Sequence, residues 1–314
     1  MGTIVGNLIK KYRKEKVIPQ KVLCDGICTV STLSRIENGI YMPSLMQIEV
    51  FFSRLGKAVP YNLVPVTFRE RKIYNIKTAI SMIYDNRDPK RKMLLDELKE
   101  CLSENDFLTK QYYLLVWGIY ISQFDERLEE ARSIFINALN ITGKKYEEIS
   151  TEKIDLYSTT ELSLIINIAH VEYYIYEIQK EKIDYKESAI KTMEFLKTYY
   201  EKNVEDYLQK TIYSSVIFML TNWYGLDKNY EKSLELSSKG IKITNESAYL
   251  FSRHIFNKGY SLASMGNIKE AELKFSLSLN IIQMMENFGD KEFLIGVIKK
   301  RFNIDISSKL LSLK

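Results

Sequence analysis

Cysteine and histidine are scarce in this sequence, with three and two copies among 314 residues. So few ligands make neither a disulfide framework nor a four-ligand zinc site without carboxylate help, and no metal or cofactor is expected. Long apolar runs are missing as well. None approaches the roughly 18 to 20 residues that cross a bilayer, and residues 1–7 are not followed by an apolar leader core. The expectation is a cytoplasmic protein with no membrane partner. Proline is confined to Pro19, Pro43, Pro60, Pro65 and Pro89, so the rest of the chain, about 225 residues, has no proline break. Glycine is sparse too, and alternating strands joined by tight Asn-Gly or Asp-Gly hairpins are not found, which makes the fold class all-α. A glycine-rich phosphate loop, a nucleophile elbow and a histidine-carboxylate cluster are also absent, which argues against an enzyme.

Apolar residues make up 46% of the chain and charged ones 27%, enough for a core spread over two domains. The charge is unevenly placed. Residues 1–70 hold ten Lys/Arg and five Asp/Glu, so the entire net charge of +5 lies there and the remainder is neutral. A compact basic module beside a larger neutral one suggests a polyanion-binding head and a body with another task.

In the head, Val5, Leu8, Ile9 and Tyr12 share one face of a first helix. A second begins near Pro19 and Gln20 and ends at Asp25-Gly26. Thr29 is a plausible N-cap for a third, in which Leu33 and Ile36 point inward and Ser31, Thr32 and Arg35 outward, ending at Asn38-Gly39. Pro43-Ser44 opens a fourth with Leu45, Ile48, Phe52 and Leu55 inward. Residues 1–66 form this domain, 67–72 a linker after Pro60 and Pro65, and 73–314 the body. Cys24 and Cys28, with no histidine or further cysteine nearby, read as small apolar fillers or, at lower weight, as a redox switch.

The run from Gln20 to Leu23, followed by Ser31-Thr32-Leu33-Ser34-Arg35-Ile36-Glu37-Asn38-Gly39 and Pro43-Ser44, resembles the helix-turn-helix of phage-repressor-like (XRE-type) regulators. That resemblance implies a major-groove helix with Val30, Ser31, Thr32, Ser34 and Arg35 facing bases, Arg35 suited to a bidentate guanine contact. Gln20 and Asn38 would address phosphates. It also implies that Arg13 pairs with Glu37. Residues 24–33 are about one residue shorter than is usual in that family, which leaves the base-contact register open by one position.

The body reads as helix pairs. Gly259, Gly266, Ala271, Phe275, Ser278 and Leu279 fall at spacings of 7, 5, 4, 3 and 1, the tetratricopeptide pattern. Ala131, Phe135, Ala138 and Leu139 repeat its second half, as do Tyr230, Ser233, Gly240 and Ile241 with substitutions, and a further copy lies near Lys186 to Phe195. Taking Ala131, Ser188, Ser233 and Ala271 as equivalents gives spacings of 57, 45 and 38, which implies insertions and extended helices. About five hairpins are expected, the first over residues 73–102, with a divergent tail from Asp290 that caps the stack or mediates dimerisation. Such a TPR-like array is a right-handed solenoid whose concave wall suits an extended peptide. On that wall Asn167, Asn222 and Asn257 would grip a peptide backbone, Arg253 would meet a carboxylate, and Tyr173, Tyr213 and Tyr260 would line pockets. For each asparagine, a hydrogen bond to a neighbouring helix or water is an equally good account. His170 and His254 read as hydrogen-bonded helix residues.

Head and body together resemble the Rgg and PlcR type of peptide-pheromone-responsive regulators. The resemblance implies a homodimer that binds a palindromic duplex operator and changes geometry when a short signalling peptide fills the body. A body that binds a protein partner instead is the alternative.

Overall fold

The computed structural model describes residues 2–63, 66–83, 88–124, 127–149, 156–203, 207–244, 247–306 and 310. Fifteen α-helices and no strand occur among them. The first four are α1 (Gly2–Glu15), α2 (Gln20–Leu23), α3 (Val30–Glu37) and α4 (Leu45–Arg54), followed by a 3-10 turn at Tyr61–Leu63. Five helix pairs come next: α5 (Phe68–Ser81) with α6 (Pro89–Glu100), α7 (Phe107–Phe124) with α8 (Leu128–Asn140), α9 (Thr159–Ile178) with α10 (Ile183–Asn203), α11 (Tyr207–Leu226) with α12 (Tyr230–Ile243), and α13 (Ala248–Ser264) with α14 (Ile268–Met284). A last helix, α15, spans Phe288–Phe302. The chain divides into two compact units, Met1–Phe195 and Leu196–Lys314.

Capping residues set the helix starts. The Thr29 hydroxyl accepts the Thr32 amide at the start of α3, and Ser44 with Gln47, Thr67 with Glu70 and Ser158 with Glu161 form reciprocal capping boxes for α4, α5 and α9. Residues 67–72, expected as a linker, are therefore the cap and first turn of α5. The Thr67 hydroxyl takes the Glu70 amide while the Glu70 carboxylate takes the Thr67 amide, and this outweighs the punctuation by Pro60 and Pro65.

In the first unit, Val5, Ile9, Leu23, Leu33, Ile36, Ile48, Phe51, Phe52 and Leu55 are fully buried, and Leu108 of α7 joins the same cluster. The head thus has no core sealed off from the helices that follow. Arg54, at the end of α4, is fully buried and pairs with buried Glu161 of α9 at 2.9 Å, while its other amino group donates to the Leu23 and Asp25 carbonyls. Ser53 accepts the Thr159 amide at 2.7 Å, and Lys144 meets Asp25 at 2.9 Å. Gly26 sits at φ +70° with its α-carbon against the Thr142 carbonyl, so both the turn and the close approach require glycine.

The repeat signature has the same physical content in both units. A Cβ at Gly118 would collide with the Phe135 ring, and one at Gly259 would come within 2.9 Å of Phe275. Gly118 is therefore the first-helix partner that the sequence reading did not assign to the Ala131 copy. In α12, Ser233 takes the place of Ala271 and donates to the Thr221 carbonyl at 3.0 Å. On α10 the phase differs by one from that expected. Ala189 and Met193 are fully buried while Ser188 is half-buried and turned toward the Tyr146 hydroxyl, because the buried row needs the smaller apolar side chain.

In the second unit, α15 lies on the α13–α14 pair. Leu294, Ile298, Ile304 and Ile306 join Phe256, Ala271, Phe275 and Leu279 in one cluster. His254 is fully buried beside Gly240, with Nε2 3.1 Å from the Ser214 hydroxyl, which in turn is 2.5 Å from Thr244. Burial lowers its pKa from 6.5 to about 4.

Two outcomes are expected. Arg54→Met leaves Glu161 buried without its cation and destabilises the first unit by about 3–5 kcal/mol, whereas Arg54→Met with Glu161→Leu recovers only part of that loss, because Glu161 also caps α9; urea unfolding measures both. Because the folded state favours neutral His254, its stabilising contribution is complete above pH 6.5 and is lost as pH falls toward about 4. The loss reaches up to about 3 kcal/mol and is absent in His254→Gln when unfolding is followed at pH 7 and pH 4.5.

Candidate functional site

Two places bring the sequence-selected residues together, one in each unit. In the head, α3 divides its side chains sharply. Leu33, Ile36 and Glu37 are buried, while Val30, Ser31 and Arg35 are exposed and Thr32 and Ser34 half-exposed. Thr32 is partly occupied by its own helix start, since its hydroxyl lies 2.9 Å from that of Thr29. Arg35 keeps its guanidinium outward, 5.9 Å from the centre of the Tyr41 ring.

Beneath this face lies Glu37, only 1% exposed. Its carboxylate accepts two hydrogen bonds from Arg13, at 2.6 and 2.8 Å, and a third from the Gln20 side-chain amide at 2.8 Å. Arg13 also donates to the Ile18 carbonyl. The hydrogen bond that Arg13 donates to Glu37 raises the Arg13 pKa further, against the effect of burial. One carboxylate thus joins α1, the α1–α2 turn, α2 and α3. Gln20, expected to face a phosphate, commits its amide group to Glu37, and Asn38 accepts from Lys10 at 2.9 Å on the exposed surface. The link between Gln20 and Glu37 was not anticipated; their separation of 17 residues gives no helical-face signal.

Cys24 is buried and Cys28 half-buried, and both are free thiols. Burial pushes both upward, Cys28 to about 11, so they are held protonated as packing groups.

In the second unit, Asn257 of α13 donates to the Asn222 side-chain oxygen of α11 at 2.7 Å. The two are not at the same repeat position. Thr221 and Gly259 each stand twelve residues before Ser233 and Ala271, which aligns Asn222 with Tyr260. They meet because α11 and α13 are neighbours. Arg253, one turn before Asn257, lies over the Phe218 and Phe256 rings at 5.7 and 5.9 Å, and its buried Nε has no hydrogen-bond partner. Tyr260 packs edge-on against Phe302 at 5.1 Å, and Tyr213 bonds to Glu201. In the first unit, Asn167 donates to the Ser163 carbonyl of its own helix, and Tyr173 is buried against Tyr176. Among the described residues no group of three or more histidines, cysteines and carboxylates is placed to hold a metal ion, and no helix is long and apolar enough to cross a membrane.

Residues 9–60 match the helix-turn-helix family model. As a fold, the chain is similar to PlcR of Bacillus thuringiensis in complex with the peptide PapR7 and DNA, with 21% identity, 93% of this chain and 98% of that one covered, and a TM-score of 0.58. It is also similar to PlcR of the same organism in its apo form, with 19% identity, coverage of 92% and 99%, and a TM-score of 0.56. No curated protein matches the sequence.

Glu37→Ala is expected to cost the head about 3–5 kcal/mol, because it strands Arg13 and frees Gln20. Hydrogen exchange should report the loss as faster exchange across α1 and α3, with α13 and α14 unaffected.

Proposed function

We propose that this chain is a transcriptional regulator that acts in the cytoplasm without catalysing a reaction. It binds a palindromic duplex operator as a homodimer through α3, and its helical body binds a short signalling peptide that changes dimer geometry and operator affinity. The observation that carries the reading is the division of α3: a buried Glu37 hub on one side and exposed Val30, Ser31 and Arg35 on the other, within the segment that matches the helix-turn-helix family. An eight-residue helix anchored from beneath by a charge network offers a rigid edge to the major groove. Ser34 and Thr32 flank that edge, and Lys10 with Asn38 lies at its end, where a phosphate would pass.

For the peptide, support comes from Asn222, Asn257 and Arg253. A paired amide edge suits a peptide backbone, and a half-buried guanidinium with an unsatisfied Nε suits a carboxylate. The PlcR structure of similar fold contains both a peptide and DNA, which is consistent with one chain of this architecture serving both. A peptide acts only by preferring one dimer geometry; a tenfold change in operator affinity needs about 1.4 kcal/mol of differential binding.

The test combines binding-site selection with native mass spectrometry of the full chain, with and without the selected duplex. Two protomers on half-sites spaced about one helical turn, roughly 34 Å, or a multiple of it are expected. Arg35→Ala should relax preference at one base step of each half-site by about 1–3 kcal/mol. Asn222→Ala with Asn257→Ala should abolish retention of the peptide while leaving operator selection intact. A single half-site, or a chain that selects no sequence, would overturn the reading.

A further inference from the structure

We propose that Tyr41 is a positioning residue that holds the Arg35 guanidinium in the orientation needed to read a base. The inference rests on the assignment of α3 as the base-contacting helix. Arg35 stands in the last turn of α3, exposed, and among the described residues its guanidinium makes no hydrogen bond or ion pair. Its one polar-aromatic contact is with the Tyr41 ring, 5.9 Å from the guanidinium carbon to the ring centre.

The ring is not there by accident of a loose loop. The amides of Ile40 and Tyr41 both donate to the Arg35 carbonyl, at 2.8 and 3.2 Å, after Gly39 turns the chain at φ +72°. At the far end Pro43 is buried and Ser44 begins α4 in its capping box with Gln47. The backbone that carries Tyr41 is thus tied to the same residue whose side chain the ring meets.

Exposure gives independent support. Ile40, Tyr41 and Met42 are 68%, 43% and 36% exposed, three apolar side chains in a row at the end of a helix in the basic head. Such a run on a surface marks a place where something docks. Duplex DNA is the partner that its position beside Arg35 selects.

The chemistry is that of face against edge. An arginine side chain is long and loses considerable rotamer freedom on binding, while a bidentate guanine contact uses N–H groups at the rim of the guanidinium plane. A guanidinium that stacks on an aromatic ring presents its face to the ring and leaves the rim free. Tyr41 therefore restricts Arg35 without competing with the base.

Full-length protein is titrated with its selected operator and with the same duplex altered at the base step that Arg35→Ala relaxes, comparing wild type, Arg35→Ala, Tyr41→Phe, Tyr41→Leu and Tyr41→Ala. The ratio of matched to mismatched affinity should be unchanged in Tyr41→Phe and fall by about threefold or more in Tyr41→Leu and Tyr41→Ala, with mismatched affinity within about twofold of wild type. Tyr41→Ala added to Arg35→Ala should produce no further fall in the ratio. If Tyr41→Ala keeps the wild-type ratio while Arg35→Ala loses it, the positioning role is wrong and the DNA-reading assignment stands. Equal weakening on both duplexes makes Tyr41 an ordinary backbone contact and also overturns it. If Arg35→Ala itself alters no base preference, the assignment of α3 fails and takes the proposal with it.

Discussion

The buried Glu37 carboxylate is the interaction on which the head depends. Out of water, it needs compensation on every side, and it receives three charge-assisted or amide hydrogen bonds from Arg13 and Gln20. Those partners lie on two other helices, so satisfying one charge fixes the angles among α1, α2 and α3. The same constraint turns the opposite face of α3 outward. Exposure of Ser31 and Arg35 is a consequence of where Glu37 is held, and the chemistry offered to a nucleic acid follows from a group that never touches it.

A second buried charge extends this logic. Arg54 ends α4 within reach of Glu161, whose other oxygen caps α9 by accepting the Ser158 amide at 2.6 Å. One carboxylate thus both begins a helix and neutralises a cation from the head. Within the first unit the α4 terminus and the start of α9 are therefore parts of one electrostatic arrangement, and Gly26 against Thr142 adds a steric contact that tolerates no side chain. In the second unit hydroxyls and a neutral imidazole take over the part played by charge. Ser214 links the Thr244 hydroxyl to His254 Nε2 where α11, α12 and α13 meet, and Gly240 leaves room for the ring.

Much of this was legible in the linear chain. Helix starts at Thr29 and Ser44 follow from side chains that cap their own backbone, and the buried faces of α1, α3 and α4 follow from periodicity, because both depend on residues a few positions apart. The spacing of Ala271, Phe275, Ser278 and Leu279 was equally local and identified the repeat. What was misread was in part local and in part a matter of packing. A linker over 67–72 was a fair expectation from Pro60 and Pro65, yet the reciprocal Thr67–Glu70 cap starts a helix there. The phase on α10 slipped by one because Ser188 and Ala189 are both small, and only packing decides which faces inward.

The candidate peptide-binding residues divide in the same way. Sequence alone identified Asn222, Asn257 and Arg253 as polar residues within apolar helices. Their meeting across α11 and α13 was a matter of tertiary structure, since hydrogen-bond geometry depends on how two helices pack. Composition and short-range spacing determined that this chain would be helical, with a basic head and a repeating body, because those properties arise within a few turns of backbone. Which charge would be buried against which, and therefore which side of α3 remains free, was decided only when segments far apart in sequence had to satisfy one another away from water.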